Sequence, residues 1–84
     1  MLSKEITIGI PSGLEARPIA MLVQVASQYE SEIYLDCGSK HVNVKSIMGM
    51  MTLALSAGDT VEIITDGPDE KAAMKGIEDY LING

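Results

Sequence analysis

The apolar positions of this chain fall into two periods, and the switches between them outline the elements. Residues 4–10 alternate, with Ile6, Ile8 and Ile10 on one side, which predicts a strand with one buried face. Pro11-Ser12-Gly13 is a turn signal. The spacing of Ala16, Ile19, Ala20, Val23 and Ala26 then predicts a helix over 16–28 with an apolar face. Pro18 lies in its first turn, where a missing N–H costs nothing. Alternation returns at 32–37 through Ile33, Leu35 and Cys37. Gly38-Ser39 reads as a hairpin turn, and Val42 and Val44 as the return strand. Ser46 opens an apolar run read as a short helix over 46–55. Ala57-Gly58-Asp59 breaks it. Residues 60–65 form a strand with Val61 and Ile63 inward. Asp66-Gly67-Pro68-Asp69 is a turn and helix start. Met74, Ile77, Tyr80 and Leu81 are the stripe of a last helix ending near Asn83-Gly84.

The predicted order is strand, helix, strand, strand, helix, strand, helix. It allows a split β-α-β arrangement, with helices on one face of an antiparallel sheet. There is no linker or repeat, and 84 residues suit one small domain, 1–84. The core must come from aliphatic side chains and methionine. Apolar residues are 46% of the chain, yet Trp and Phe are absent and only Tyr29, Tyr34 and Tyr80 are aromatic. That composition gives little support for stacking on nucleic-acid bases. A net charge of −6 argues against direct DNA or RNA binding. The six basic residues, Lys4, Arg17, Lys40, Lys45, Lys71 and Lys75, form no run.

Other chemistry is also constrained. Cys37 is the lone cysteine, so no internal disulfide is expected, and it reads as a small packed residue. His41 is the lone histidine, with no cluster of ligating residues around it, so no metal and no nucleophilic catalysis is expected. No P-loop or dinucleotide fingerprint occurs, and no cofactor is expected. Met1-Leu2-Ser3-Lys4-Glu5 runs into the first strand without the pattern of a signal peptide. No apolar run approaches the ~20 residues that span a bilayer. The expected location is cytoplasmic, away from membranes.

Two segments carry more specific information. The first is Gly13-Leu14-Glu15-Ala16-Arg17-Pro18. The second, some thirty residues later, is Val42-Asn43-Val44-Lys45-Ser46-Ile47-Met48-Gly49. Together they resemble the two sites of the HPr family, the phosphocarriers of the bacterial sugar phosphotransferase system. The resemblance extends from Ile6 to the end of the chain. It implies an α+β open-faced two-layer sandwich, βαββαβα, with a four-stranded antiparallel sheet in order 1-4-2-3 and three helices on one face. Periodicity alone does not give that strand order.

The resemblance also implies roles. In the family the residue matching Glu15 is normally a histidine that carries a phosphoryl group. A carboxylate cannot form the same phosphoramidate. The residue matching Ser46 is, in Gram-positive members, the target of an ATP-dependent HPr kinase/phosphorylase. The phosphorylated protein is then a corepressor for a catabolite-control transcription factor. The Crh (catabolite repression HPr) branch keeps the serine and lacks the histidine, with glutamine at that position. Residues matching Ile47, Met48 and Met51 belong to the surface that meets enzyme I, the kinase and the transcription factor, and the residue matching Arg17 contacts the phosphoryl group and protein partners. The implied protein is a regulator rather than an enzyme. Two alternatives stay open: a phosphocarrier, and an unphosphorylated competitor for the same partners.

Elementary chemistry bears on both sites. Glu15 has three readings. Ser12 and Glu15 have the spacing of a capping box, in which both would close a helix start. Glu15 is otherwise a simple loss of the carrier group, or a weak mimic of a phosphorylated residue. Arg17 offers a fixed cation able to fork onto phosphate. Ser46 is a favoured N-cap, and a phosphate added there would meet the positive helix end. Ile47, Met48, Met50 and Met51 cannot all face one core on a short helix, so Ile47 and Met48 are expected at the surface. Gly49 inside that helix predicts a close neighbour.

Overall fold

The computed structural model describes residues 1–11 and 15–83. Its elements are β1 (Leu2–Thr7), α1 (Ala16–Ser27), β2 (Glu32–Cys37), β3 (Lys40–Asn43), α2 (Ile47–Met50), β4 (Thr60–Asp66) and α3 (Glu70–Asn83). The strands form one antiparallel sheet in the order β1-β4-β2-β3. The architecture is the open-faced α+β sandwich.

Alternation decides which side of the sheet is covered. Ile6, Val61, Ile63, Ile33 and Leu35 share the face that packs under the helices, and all are buried. Glu5, Glu62, Asp36 and His41 align across the four strands on the other face, which is open. The helices contribute Ile19, Leu22, Ala26, Met50, Ala73, Met74, Ile77 and Leu81 to the same core. Burying an aliphatic side chain of this size contributes about 1.5–3 kcal/mol.

Several boundaries differ from the sequence pattern. The first strand covers Leu2–Thr7 rather than 4–10. The alternation of Ile8 and Ile10 is nonetheless real, since both are buried. Past Thr7 the chain stays extended but changes partners. The Ile8 N–H donates to the Asp59 carbonyl at 2.8 Å, and the Gly9 N–H to the Leu81 carbonyl at 2.8 Å. Burial period therefore outlasts the strand ladder. The predicted turn at Pro11-Ser12-Gly13 falls mostly outside the described residues, as does the end at Gly84.

In α1 the stripe is rotated from the predicted one. Ile19, Leu22 and Ala26 are buried, whereas Ala16 is exposed and Ala20 and Val23 are half-buried. Leu22 carries more apolar surface than any alanine and turns the helix toward itself. In α3, Met74, Ile77 and Leu81 are buried as expected, Ala73 joins them, and Tyr80 is only half-buried. Burial raises the Tyr80 phenol above its usual pKa.

The largest correction concerns α2, which is the single turn Ile47–Met50 and does not reach Leu55. The Thr52 N–H donates to Gly49 and the Leu53 N–H to Met50, three residues back, which tightens and ends the helix. The Thr52 hydroxyl also donates to the Gly49 carbonyl at 2.7 Å. Leu53 and Leu55 are then buried with Ala54 exposed between them. The apolar run 47–55 had concealed a switch from helical to extended period.

Candidate functional site: two helix starts and an exposed methionine turn

The first helix start is Glu15. Its backbone is extended, at φ −95° and ψ −174°, and its carbonyl accepts the Ile19 N–H at 2.9 Å. Glu15 is thus itself the N-cap, and its side chain makes no capping hydrogen bond. The capping-box expectation placed it three residues into a helix opened by Ser12. The helix begins later than that, and Ser12 lies outside the described residues. Glu15 and Arg17 are both exposed. Among the described residues Arg17 makes no ion pair. Met21, one turn on and on the same helical side, is also exposed. Sequence reading missed Met21 because it lies outside the apolar stripe.

The second helix start is Ser46, with φ −100° and ψ 107°. Its Oγ accepts the Gly49 N–H at 3.2 Å, and its carbonyl accepts the Met50 N–H at 2.9 Å. This is a true side-chain cap. A hydroxyl has two lone pairs and one proton. The cap occupies one lone pair and leaves the O–H proton and the second pair free. Ser46 is exposed, so both can be reached from solvent.

Around Ser46 the single turn splits its apolar residues. Met50 is fully buried and anchors α2 to the core. Ile47, Met48 and Met51 project outward, with Met48 81% exposed. Gly49 does not carry the crowding expected of it. An added Cβ would meet the Ser46 Oγ at 3.4 Å and the Val42 Cβ at 3.8 Å, which are ordinary contacts. α1 and α2 pack against each other, so the two helix starts belong to neighbouring elements.

Two lysines, not singled out from sequence, border this region. Lys45 Nζ donates to the Tyr29 carbonyl at 2.7 Å, just past α1. Lys40 Nζ donates to the Thr52 carbonyl at 2.7 Å, just past α2. No spacing rule could have paired them, since the partners are backbone atoms of other elements. The turn after α1 is held from its other side by Asp69, which accepts the N–H groups of Glu30 and Ser31, each at 2.9 Å, and the Ser31 hydroxyl. The Ser31 hydroxyl, then the Glu30 N–H, hold the Asp69 carboxyl below its usual pKa.

His41 lies on the open sheet face, away from the helix starts. Its Nδ1 pairs with Asp36, and its ring stacks on Tyr34 with centroids 4.7 Å apart. Cys37 is free and half-buried. Among the described residues no group of three or more His, Cys, Asp or Glu side chains could hold a metal ion, and no pocket opens. No described helix is long and apolar enough to cross a membrane. The chemistry on offer is a capped, accessible hydroxyl beside a flexible apolar surface.

The fold alone does not assign a function to these two helix starts; comparison with known proteins gives the family. Residues 2–83 match the family model described as the PTS HPr component phosphorylation site. The HPr-like protein Crh of Halalkalibacterium halodurans is 44% identical over 81 residues, covering 96% of each chain. The phosphocarrier protein HPr of Treponema pallidum is 42% identical over 83 residues, covering 99% of this chain and 94% of that one. The crystal structure of HPr from Bacillus anthracis superposes with a TM-score of 0.91 at 36% identity, covering 95% of each chain. The chain belongs to the HPr family, whose members are phosphocarriers and regulators rather than enzymes, and it is similar both to HPr-like Crh proteins and to a phosphocarrier HPr.

Proposed function

We propose that this protein is a Crh-like regulator, a single HPr-like domain over residues 1–84, switched by phosphorylation of Ser46. An HPr kinase/phosphorylase transfers the γ-phosphoryl group of ATP. The Ser46 Oγ lone pair attacks phosphorus, the bond to the ADP oxygen breaks, and the hydroxyl proton passes to a base on the kinase. The phosphorylated protein then binds a catabolite-control transcription factor as corepressor in the cytoplasm.

The observation that carries this reading is the Ser46 hydroxyl. It caps α2 through one lone pair and is otherwise free, beside exposed Ile47, Met48 and Met51. A phosphate there meets N–H groups and the positive end of the turn, so modification adds charge without melting the element. Basic groups on the partner would read that charge. Arg17 and the Ile47/Met48/Met51 surface would supply the remaining contact, methionine being well suited to repacking against more than one partner. Glu15 stands where the family's carrier histidine is expected, and the lone histidine, His41, is on the open face of the sheet. On this reading the carrier reaction is lost.

A second reading is the phosphocarrier, favoured by the 42% identity to an HPr of that function. A third is a competitor that binds enzyme I or other HPr partners unmodified. Intact-mass and fragment mass spectrometry separates the first two, and an enzyme I binding measurement identifies the third. One tube holds ATP and an HPr kinase; a parallel tube holds enzyme I and phosphoenolpyruvate. One phosphate on Ser46 in the first and none in the second is the expected result. No phosphate in the first tube removes the regulator reading, and a phosphate in the second restores the carrier. Enzyme I binding without any phosphate would identify the competitor.

A further inference from the structure

A helix of one turn has no stability of its own. Ordering the first turn fixes several dihedrals for a single hydrogen bond, and isolated helices shorter than about 12 residues are marginal in water. α2 has four residues, Ile47–Met50, yet it presents the serine and the exposed apolar side chains as one unit. Something outside the turn must hold it. Met50 pins its middle into the core, and the Ser46 Oγ satisfies one N–H at its start.

Buried Val44 and Leu53 flank the turn, and the Thr52 hydroxyl donates to the Gly49 carbonyl. Two ammonium groups add longer-range restraints at its ends. Lys40 reaches from β3 to the Thr52 carbonyl at 2.7 Å, just beyond the helix, where carbonyls lack intrahelical partners. Lys45, immediately before the serine, reaches the Tyr29 carbonyl at 2.7 Å and so ties the entry of α2 to the exit of α1. That exit is fixed independently by Asp69 on the two following N–H groups. The entry is thereby referenced to α1 and α3, and the exit to the sheet.

We infer that Lys40 and Lys45 are positioning residues. They clamp the two ends of α2, so that Ser46, Ile47, Met48 and Met51 meet a kinase or regulatory partner already in place. Neither ammonium is offered to the added phosphate; each acts through a carbonyl. The kinase consequence rests on the reading of Ser46 as the phosphorylated residue, whereas the clamp does not.

The test replaces Lys45 and Lys40 by methionine, singly and together, which keeps the aliphatic stems and removes the charge. Hydrogen exchange at the Met50 and Met51 N–H groups is read against that of β4 in the same sample. Loss of a hydrogen bond from a charged donor predicts about tenfold faster exchange for half-buried Lys45→Met. About threefold is expected for exposed Lys40→Met, where water replaces more of the bond. β4 exchange should not change. In the double variant the kinase KM for the protein should rise at least about twofold, with kcat unchanged, because only the ordered fraction of α2 is competent. Lys45→Arg and Lys40→Arg should restore both readings. Unchanged α2 exchange in both single variants would overturn the clamp, as would an arginine variant that behaves like methionine. A wild-type protein that takes no phosphate would defeat the functional reading and leave the exchange test intact.

Discussion

The two helix starts solve the same problem with different side chains. α1 begins at Glu15, which contributes its backbone carbonyl but no side-chain cap. α2 begins at Ser46, whose hydroxyl bonds the Gly49 N–H. The longer helix tolerates the poorer start because twelve residues bury Ile19, Leu22 and Ala26. The four-residue helix has one buried anchor, Met50, and depends on its cap and on Lys40 and Lys45. The side chain that α2 needs for its fold is also the one that chemistry can reach. At α1, neither requirement keeps a hydroxyl or an imidazole at position 15.

The largest expected effect comes from removing the competent start. Ser46→Ala should abolish phosphate incorporation by an HPr kinase and corepressor binding. It should also destabilise the domain by about 1 kcal/mol through the lost cap. Intact mass and a thermal melt read the two effects separately. An unchanged affinity of the variant for the transcription factor would break the proposed mechanism.

Next is the attempt to make the two starts alike. Glu15→His should accept a phosphoryl group from enzyme I and phosphoenolpyruvate, since Arg17 stays exposed and free of ion pairs among the described residues. Mass spectrometry at acid-labile histidine sites gives the answer. Failure would mean that more than position 15 has changed at the start of α1.

The turn between α1 and β2, to which Lys45 ties the Ser46 side of the molecule, can be loosened by acid. The Asp69 carboxyl is held below its usual pKa by the Ser31 hydroxyl and the Glu30 N–H. A depressed carboxylate contributes stability that is present above its ordinary pKa and lost as pH falls through the lowered value. Wild type should therefore lose stability below about pH 4, and Asp69→Asn should flatten that part of the acid limb. Urea midpoints between pH 2 and pH 6 test it. Equal slopes for the two proteins would remove Asp69 from the account.

Smaller effects sharpen the contrast in capping. Glu15→Asp or Glu15→Ser supplies a shorter acceptor and should stabilise the domain by about 0.5–1 kcal/mol. Gly49→Ala should stabilise the unmodified protein by less than about 1 kcal/mol, because alanine favours helix and its Cβ makes only ordinary contacts. Chemical denaturation measures both.

Ser46, Ile47 and Met48 were legible because the segment carries an N-cap residue and more apolar side chains than one face can bury. The end of α2 was not legible, since Leu53 and Leu55 fit a helical run as well as an extended one until their burial is known. Glu15 was legible as a residue at a helix start but not as the cap itself, because a capping box and a bare N-cap differ only by where the helix begins. Lys40 and Lys45 gave no signal at all, since a lysine bound to a distant carbonyl has the same local sequence as a solvated one.

The sequence by itself determined the element order, the buried face of each strand, the identity of residue 15 and the presence of a serine able to cap a helix. Those are local properties, set by side-chain period and by the chemistry of single residues. The tertiary structure decided where α2 stops, which face of α1 turns inward, and that two lysines and Asp69 tie the turns together. Those depend on backbone atoms far apart in the chain, brought together only when the helices settle on the sheet.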